Sequence, residues 1–148
     1  MVRAALLGGL LAGALDITYA FIAYGFVGAT PFDILHSVAT GWLGRAAYEG
    51  GAATAVLGLV SHLFIACVFA AVYVFVSRRV AALNRHPFVA GAVFGLVIFV
   101  VMNYVVVPLS AATVSGPRGV FYPLAVLVHM FLVGVPIALV ARRISYHR

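Results

Sequence analysis

Charge is what this chain has least of. Asp, Glu, Lys and Arg together make up 8% of the 148 residues, and lysine is missing altogether. A soluble globular domain carries about a quarter of its residues as charged side chains, so that class is excluded. One cysteine, Cys67, leaves no partner for an intramolecular disulfide and no thiolate set for a structural zinc. No Ser-, Gln- or Pro-rich stretch divides the chain, so a single domain is expected. Also missing are Gly-x-Ser-x-Gly, a phosphate-binding glycine loop, a dinucleotide fingerprint and His-Glu-x-x-His. Most hydrolase, nucleotide-dependent and metalloenzyme classes go with those motifs, and the chain does not read as an enzyme.

What is present is apolar surface. Hydrophobic residues make up 66% of the chain, mean hydropathy is +1.20, and no charge occurs between Pro87 and Gly116. Such a run exceeds the roughly 20 residues that cross the hydrocarbon core as a helix. Four segments of this kind lie at about 4–27, 52–76, 87–110 and 121–141. In the first, the apolar run continues past Asp16 with no Ala-x-Ala cleavage site after a short hydrophobic stretch, so it reads as an uncleaved helix. The expected fold is an all-α membrane protein: a four-transmembrane-helix bundle with a short interfacial helix between the first two spans.

That interfacial helix is expected at about 31–44. Thr30 suits the N-cap and Pro31 the first helical position. Ile34, Leu35, Val38 and Trp42 share one side, as in a helix lying at the membrane interface with tryptophan at headgroup depth.

Small residues mark the faces that neighbouring helices should cover. Gly9, Ala12, Gly13, Asp16, Ala20 and Ala23 form one stripe at spacings of three and four; Ala55, Gly58, His62, Ala66, Ala70 and Tyr73 form another. Gly9-x-x-x-Gly13 and Gly91-x-x-x-Gly95 permit close approach of a partner backbone. The same Gly-x-x-x-Gly in the first and third spans, and His-x-Phe in the second and fourth (His62 to Phe64, His129 to Phe131), suggest a parallel two-helix repeat.

A formal charge of +6 and a pI near 10.1 would point to nucleic acid in a soluble protein. Here the arginines flank apolar segments, so the lipid bilayer is the expected partner and nucleic acid is not. Arg3, Arg78, Arg79, Arg85, Arg142, Arg143 and Arg148 fall on one side, Arg45 and Arg118 on the other. The excess of basic residues on the cytoplasmic side of membrane proteins then puts both termini in the cytoplasm.

Polar side chains within the spans are the candidate site: Asp16, His62, Asn103 and His129, with Tyr19 and Tyr104 beside them in sequence. An ionised carboxylate at the centre of a membrane helix costs about 2.5–3.5 kcal/mol on insertion scales, so Asp16 is expected to be protonated or partnered. A carboxyl beside an imidazole can share a proton, which suits an ion, proton or solute site. The same residues could instead be hydrogen-bonded glue between helices in an accessory or structural subunit, alone, as a homo-oligomer or in a larger membrane complex. No cofactor is required by the sequence; the alternative with one is an electron-transfer protein in which His62 and His129 ligate haem b.

The runs Gly9 to Asp16, Ile34 to Gly41 and Met102-Asn103-Tyr104 through Pro108 to Ser110 resemble those of a group of small four-helix bacterial inner-membrane proteins, and more distantly the YagU-type inner-membrane proteins. The resemblance covers most of the chain and implies a multi-pass protein of the bacterial inner membrane. It implies no activity and no catalytic residue.

Overall fold

The computed structural model describes residues 1–113 and 116–145, the last of these by its backbone alone. Apolar, charge-poor segments have one way to satisfy their backbone groups without a partner strand, which is to coil. The result is an all-α four-helix bundle. Helix α1 covers Val2–Gly25, α3 Gly51–Ser77, α5 Pro87–Leu109 and α6 Phe121–Ile144, and each is long and apolar enough to cross a membrane. Two short helices join them: α2, Pro31–Leu43, continued by a 3-10 turn at Gly44–Glu49, and α4, Ala81–Arg85. Span α1 ends two residues earlier than the sequence suggests, because Gly28 turns the chain at φ +91°, and α6 runs on past Arg143.

Glycine decides which helices touch. A Cβ on Gly9 would lie 2.7 Å from the Cys67 backbone nitrogen, so α1 and α3 meet nearly backbone to backbone. On the other side of the bundle, a Cβ on Gly95 would sit 2.6 Å from the Cα of Met130, and one on Gly134 would sit 2.8 Å from the Cα of Gly95. These contacts repeat. Gly9 and Gly13 touch Cys67 and Leu63, Gly91 and Gly95 touch Gly134 and Met130; the first members are displaced by 82 positions and the second by 67. The two hairpins, α1 with α3 and α5 with α6, therefore pack through equivalent positions, with His62 and His129 in register.

Helix α2 lies across α3 in a different manner from the one its apolar side suggests. Its buried face is His36, Ala39 and Thr40, while Trp42 is 66% exposed. The reason is that the polar groups of this face are satisfied on backbone carbonyls. His36 Nε2 donates to the Gly51 carbonyl at 2.8 Å, the Thr40 hydroxyl to the Ser37 carbonyl at 2.6 Å, and Gly58 lets the Leu35 carbonyl come close to α3. The Trp42 indole N–H is tied back to Ser61 Oγ at 3.0 Å.

Packing is uneven along the bundle. The buried core, with Ala70, Tyr73, Val74, Ile98, Val133, Ile137 and Ala138, fills the half nearer the N-terminus of α1 and the C-termini of α3 and α6. Asn84 Nδ2 donates to the Ser77 carbonyl at 2.7 Å and fastens α4 onto that end. The two cavities that share His62 lie towards the half nearer α2.

Candidate functional site

Asp16, His62, Asn103 and His129 come from the four spans and line one cavity of about 210 Å³. Ala12 and Gly13 of α1 form one wall; Phe69, Ile98 and Val133 close the floor towards the packed half. At 1.5 Å rise per residue, Asp16 lies about 14 Å from the α2 end of its helix and Asn103 about 9 Å from the same end of α5, so the cavity is off-centre towards α2.

The His62 ring crosses from α3 to α1. Its Nε2 is 3.0 Å from the Gly13 carbonyl and 3.7 Å from Asp16 Oδ2. A carbonyl can only accept, so Nε2 carries a hydrogen and Nδ1 is the nitrogen left for a second proton. The side chains of His62 and Asp16 are 17% and 20% exposed, which decides that neither is sealed away from the cavity. Among the described residues, the partner of the Asp16 carboxylate is this histidine.

Asn103 and His129 are held in another way. Asn103 Nδ2 donates to Phe99 O at 2.9 Å and His129 Nδ1 donates to Ala125 O at 2.8 Å, each four residues back on its own helix. Phe99, almost fully buried, stands between them with its ring edge to His129 at 5.5 Å between centroids. Both polar residues fall in π-helical turns, Met102–Val106 and His129–Gly134. The cause is proline. Pro108 and Pro136 have no N–H to give to the carbonyls four residues earlier, and their rings crowd those carbonyls. The preceding residues, Val107 and Val135, donate instead to Met102 O and Met130 O, five residues back. The widened turns carry Asn103 and His129 to the cavity wall. From the other side, the backbone at Gly116 leans over Asn103, where any Cβ would fall 2.6 Å from Oδ1.

Two sequence candidates stand apart from this cavity. Tyr19, one turn beyond Asp16, has a buried hydroxyl with no hydrogen-bond partner among the described residues. Tyr104 points outward and pairs its hydroxyl with that of Tyr122 at 3.0 Å. Residues the sequence did not single out are Met102 and Ile65, which with His62 and Val107 also line a second cavity of about 640 Å³ bounded by α2, α3 and the end of α5. Its polar rim is Ser37, Ser61 and Ser110. The available signal was the pair of prolines inside otherwise unbroken apolar spans.

Compared with protein-family models, curated proteins and solved structures, the chain matches none.

Proposed function

We propose that this protein is a multi-pass bundle of the bacterial inner membrane that binds and exchanges a proton, or a small cation in its place, at the Asp16–His62 pair. The observation that carries the reading is the approach of Asp16 Oδ2 to His62 Nε2 at 3.7 Å on the wall of a cavity that all four spans contribute to. A carboxyl and an imidazole this close can pass a proton between them or hold a cation together.

The wider cavity, which shares His62, Ile65, Met102 and Val107 with the inner one, supplies a route from the α2 end. The core around Ala70, Tyr73 and Ile137 closes the opposite route. Access is thus from the α2 side, and transfer across the membrane requires the packed half to open. The orientation in this proposal has the arginine-rich end and both termini cytoplasmic, with α2 on the outer face. Membership of the small four-helix inner-membrane group belongs to the same proposal.

Polar glue explains less of the geometry. Of the bonds made by His62, Asn103 and His129, one joins two helices, whereas the Asn103 and His129 bonds stay within their own helices. A haem bridged by the two histidines fits poorly with a cavity of about 210 Å³, below the roughly 300–1,000 Å³ of ordinary ligand pockets. Proton uptake into liposomes holding the purified protein and a pH dye tests the proposal. The parent should exceed empty liposomes and Asp16→Asn should not; equal uptake by both proteins would remove Asp16 from the mechanism.

A further inference from the structure

Arg3 and Arg143, from opposite ends of the chain, line one groove between α1 and α6. The groove measures about 590 Å³, and its walls are Leu7, Leu11, Val140 and Ile144. Leu7 and Leu11 are roughly half exposed, so this apolar surface faces outward rather than into the core. On the other side of Met1, Arg78 and Arg79 line a second recess, where the Arg79 guanidinium sits 3.9 Å over the Phe75 ring. The chain has three acids, Asp16, Asp33 and Glu49. No acidic side chain among the described residues lies at this end: Asp16 is thirteen residues from Arg3 on the same helix, about 20 Å away, and Asp33 and Glu49 lie on the α2 side.

An apolar groove running along two spans and capped by two guanidinia, with no acidic side chain beside them among the described residues, matches one kind of molecule in both its parts. Guanidinium groups bind phosphate oxygens in pairs, and the exposed leucines complement an acyl chain. We propose that the groove between α1 and α6 is a binding site for one anionic phospholipid, with its phosphate held by Arg3 and Arg143 and an acyl chain lying along Leu7, Leu11 and Val140. A zwitterionic lipid would bring its own ammonium up to the same arginines. Free phosphate shares the headgroup chemistry but leaves the apolar walls unmatched.

Native mass spectrometry of the full chain, released from micelles doped with phosphatidylglycerol or phosphatidylcholine at equal concentration, tests the site. Phosphatidylglycerol should be retained in preference. At about 1 kcal/mol per arginine near an anionic lipid, each guanidinium contributes about five-fold, and Arg3→Gln with Arg143→Gln should weaken retention roughly thirty-fold. Arg85→Gln, at the same end but outside the groove, should change it little. Val140→Phe, which fills the groove and keeps both charges, should also weaken it. The Arg3→Lys, Arg143→Lys pair should fall between the parent and the glutamine pair. Inorganic phosphate at the lipid concentration should neither bind measurably nor raise Tm. Equal retention of the two lipids, an Arg85→Gln effect as large as that of the groove pair, full retention in the glutamine pair, or equal stabilisation by inorganic phosphate would each overturn the proposal.

Discussion

The His62 imidazole reaches from α3 to α1, where Nε2 donates to the Gly13 carbonyl at 3.0 Å and lies 3.7 Å from Asp16 Oδ2. The shorter contact holds the ring; the longer one is beyond hydrogen-bond length. His62→Ala should therefore cost stability as well as activity. Interhelical hydrogen bonds inside membranes contribute about 0.6 kcal/mol on average and up to about 1.7 kcal/mol, and the loss should fall in that range. Unfolding in mixed micelles measures it, and a loss of several kcal/mol would show that the ring does more packing than bonding.

The glycines of the α5–α6 hairpin should tolerate nothing larger. In Gly95→Ala and Gly134→Ala the new methyl meets backbone atoms, not movable side-chain ends, so the helices must separate, at an expected cost on the order of 1–3 kcal/mol. Gly25→Ala is the control, since nothing lies within 4 Å of its Cβ position, and it should stay within about 0.5 kcal/mol of the parent. Comparable losses at Gly25 and Gly134 would contradict this account of the hairpin.

Pro136→Ala restores an N–H that can bond to the Leu132 carbonyl and lets the π-helical turn at His129–Gly134 relax to α-helix. The turn should gain protection from amide exchange while His129 rotates off the cavity wall. Proton uptake should fall although the protein becomes no less stable. Unchanged exchange at residues 132–135 would show that the proline is not the cause of the turn.

Much of this was legible in the sequence, for physical reasons that differ from one feature to the next. The spans follow from length and apolarity, and the close pairs from glycine at i and i+4, both of which are local properties. Convergence of Asp16, His62, Asn103 and His129 could be anticipated from depth, since each sits about two to three turns from the α2 end. Depth does not specify direction, however. Tyr104 follows Asn103 immediately and so points about a quarter-turn or more away, where it meets Tyr122 instead. The buried face of α2 was hidden because His36 and Thr40 satisfy themselves on backbone carbonyls, which no hydrophobic pattern reveals. The π-helical turns were hidden because a proline marks where the hydrogen-bond ladder breaks without saying how the turn before it re-forms.

At the start of α2, Thr30 and Asp33 cap each other: the Thr30 N–H donates to Asp33 Oδ2 at 2.8 Å and the Asp33 N–H to Thr30 Oγ1 at 3.2 Å. The hydrogen bond from the Thr30 side chain, followed by that from its backbone, holds the Asp33 carboxyl below its ordinary range. A depressed folded-state value means the cap stabilises the folded chain above the unfolded carboxylate pKa near 4 and loses that contribution as pH falls through the lower folded value. The stability difference between the parent and Asp33→Asn should be flat from neutral pH to about 4 and shrink below it. A difference that instead vanished between pH 7 and 5 would place its origin in another group.

Asp16 is the one acid within the four spans, since Asp33 and Glu49 lie in α2 and the turn after it. Infrared spectra of the reconstituted protein, recorded across about pH 4 to 9, therefore report its protonation with little overlap. The account predicts a carboxylic acid band that grows as pH falls, is missing in Asp16→Asn, and changes frequency in His62→Ala, which removes the imidazole 3.7 Å from the carboxyl. A spectrum with no band sensitive to Asp16→Asn anywhere in that range would contradict the claim that this pair exchanges a proton.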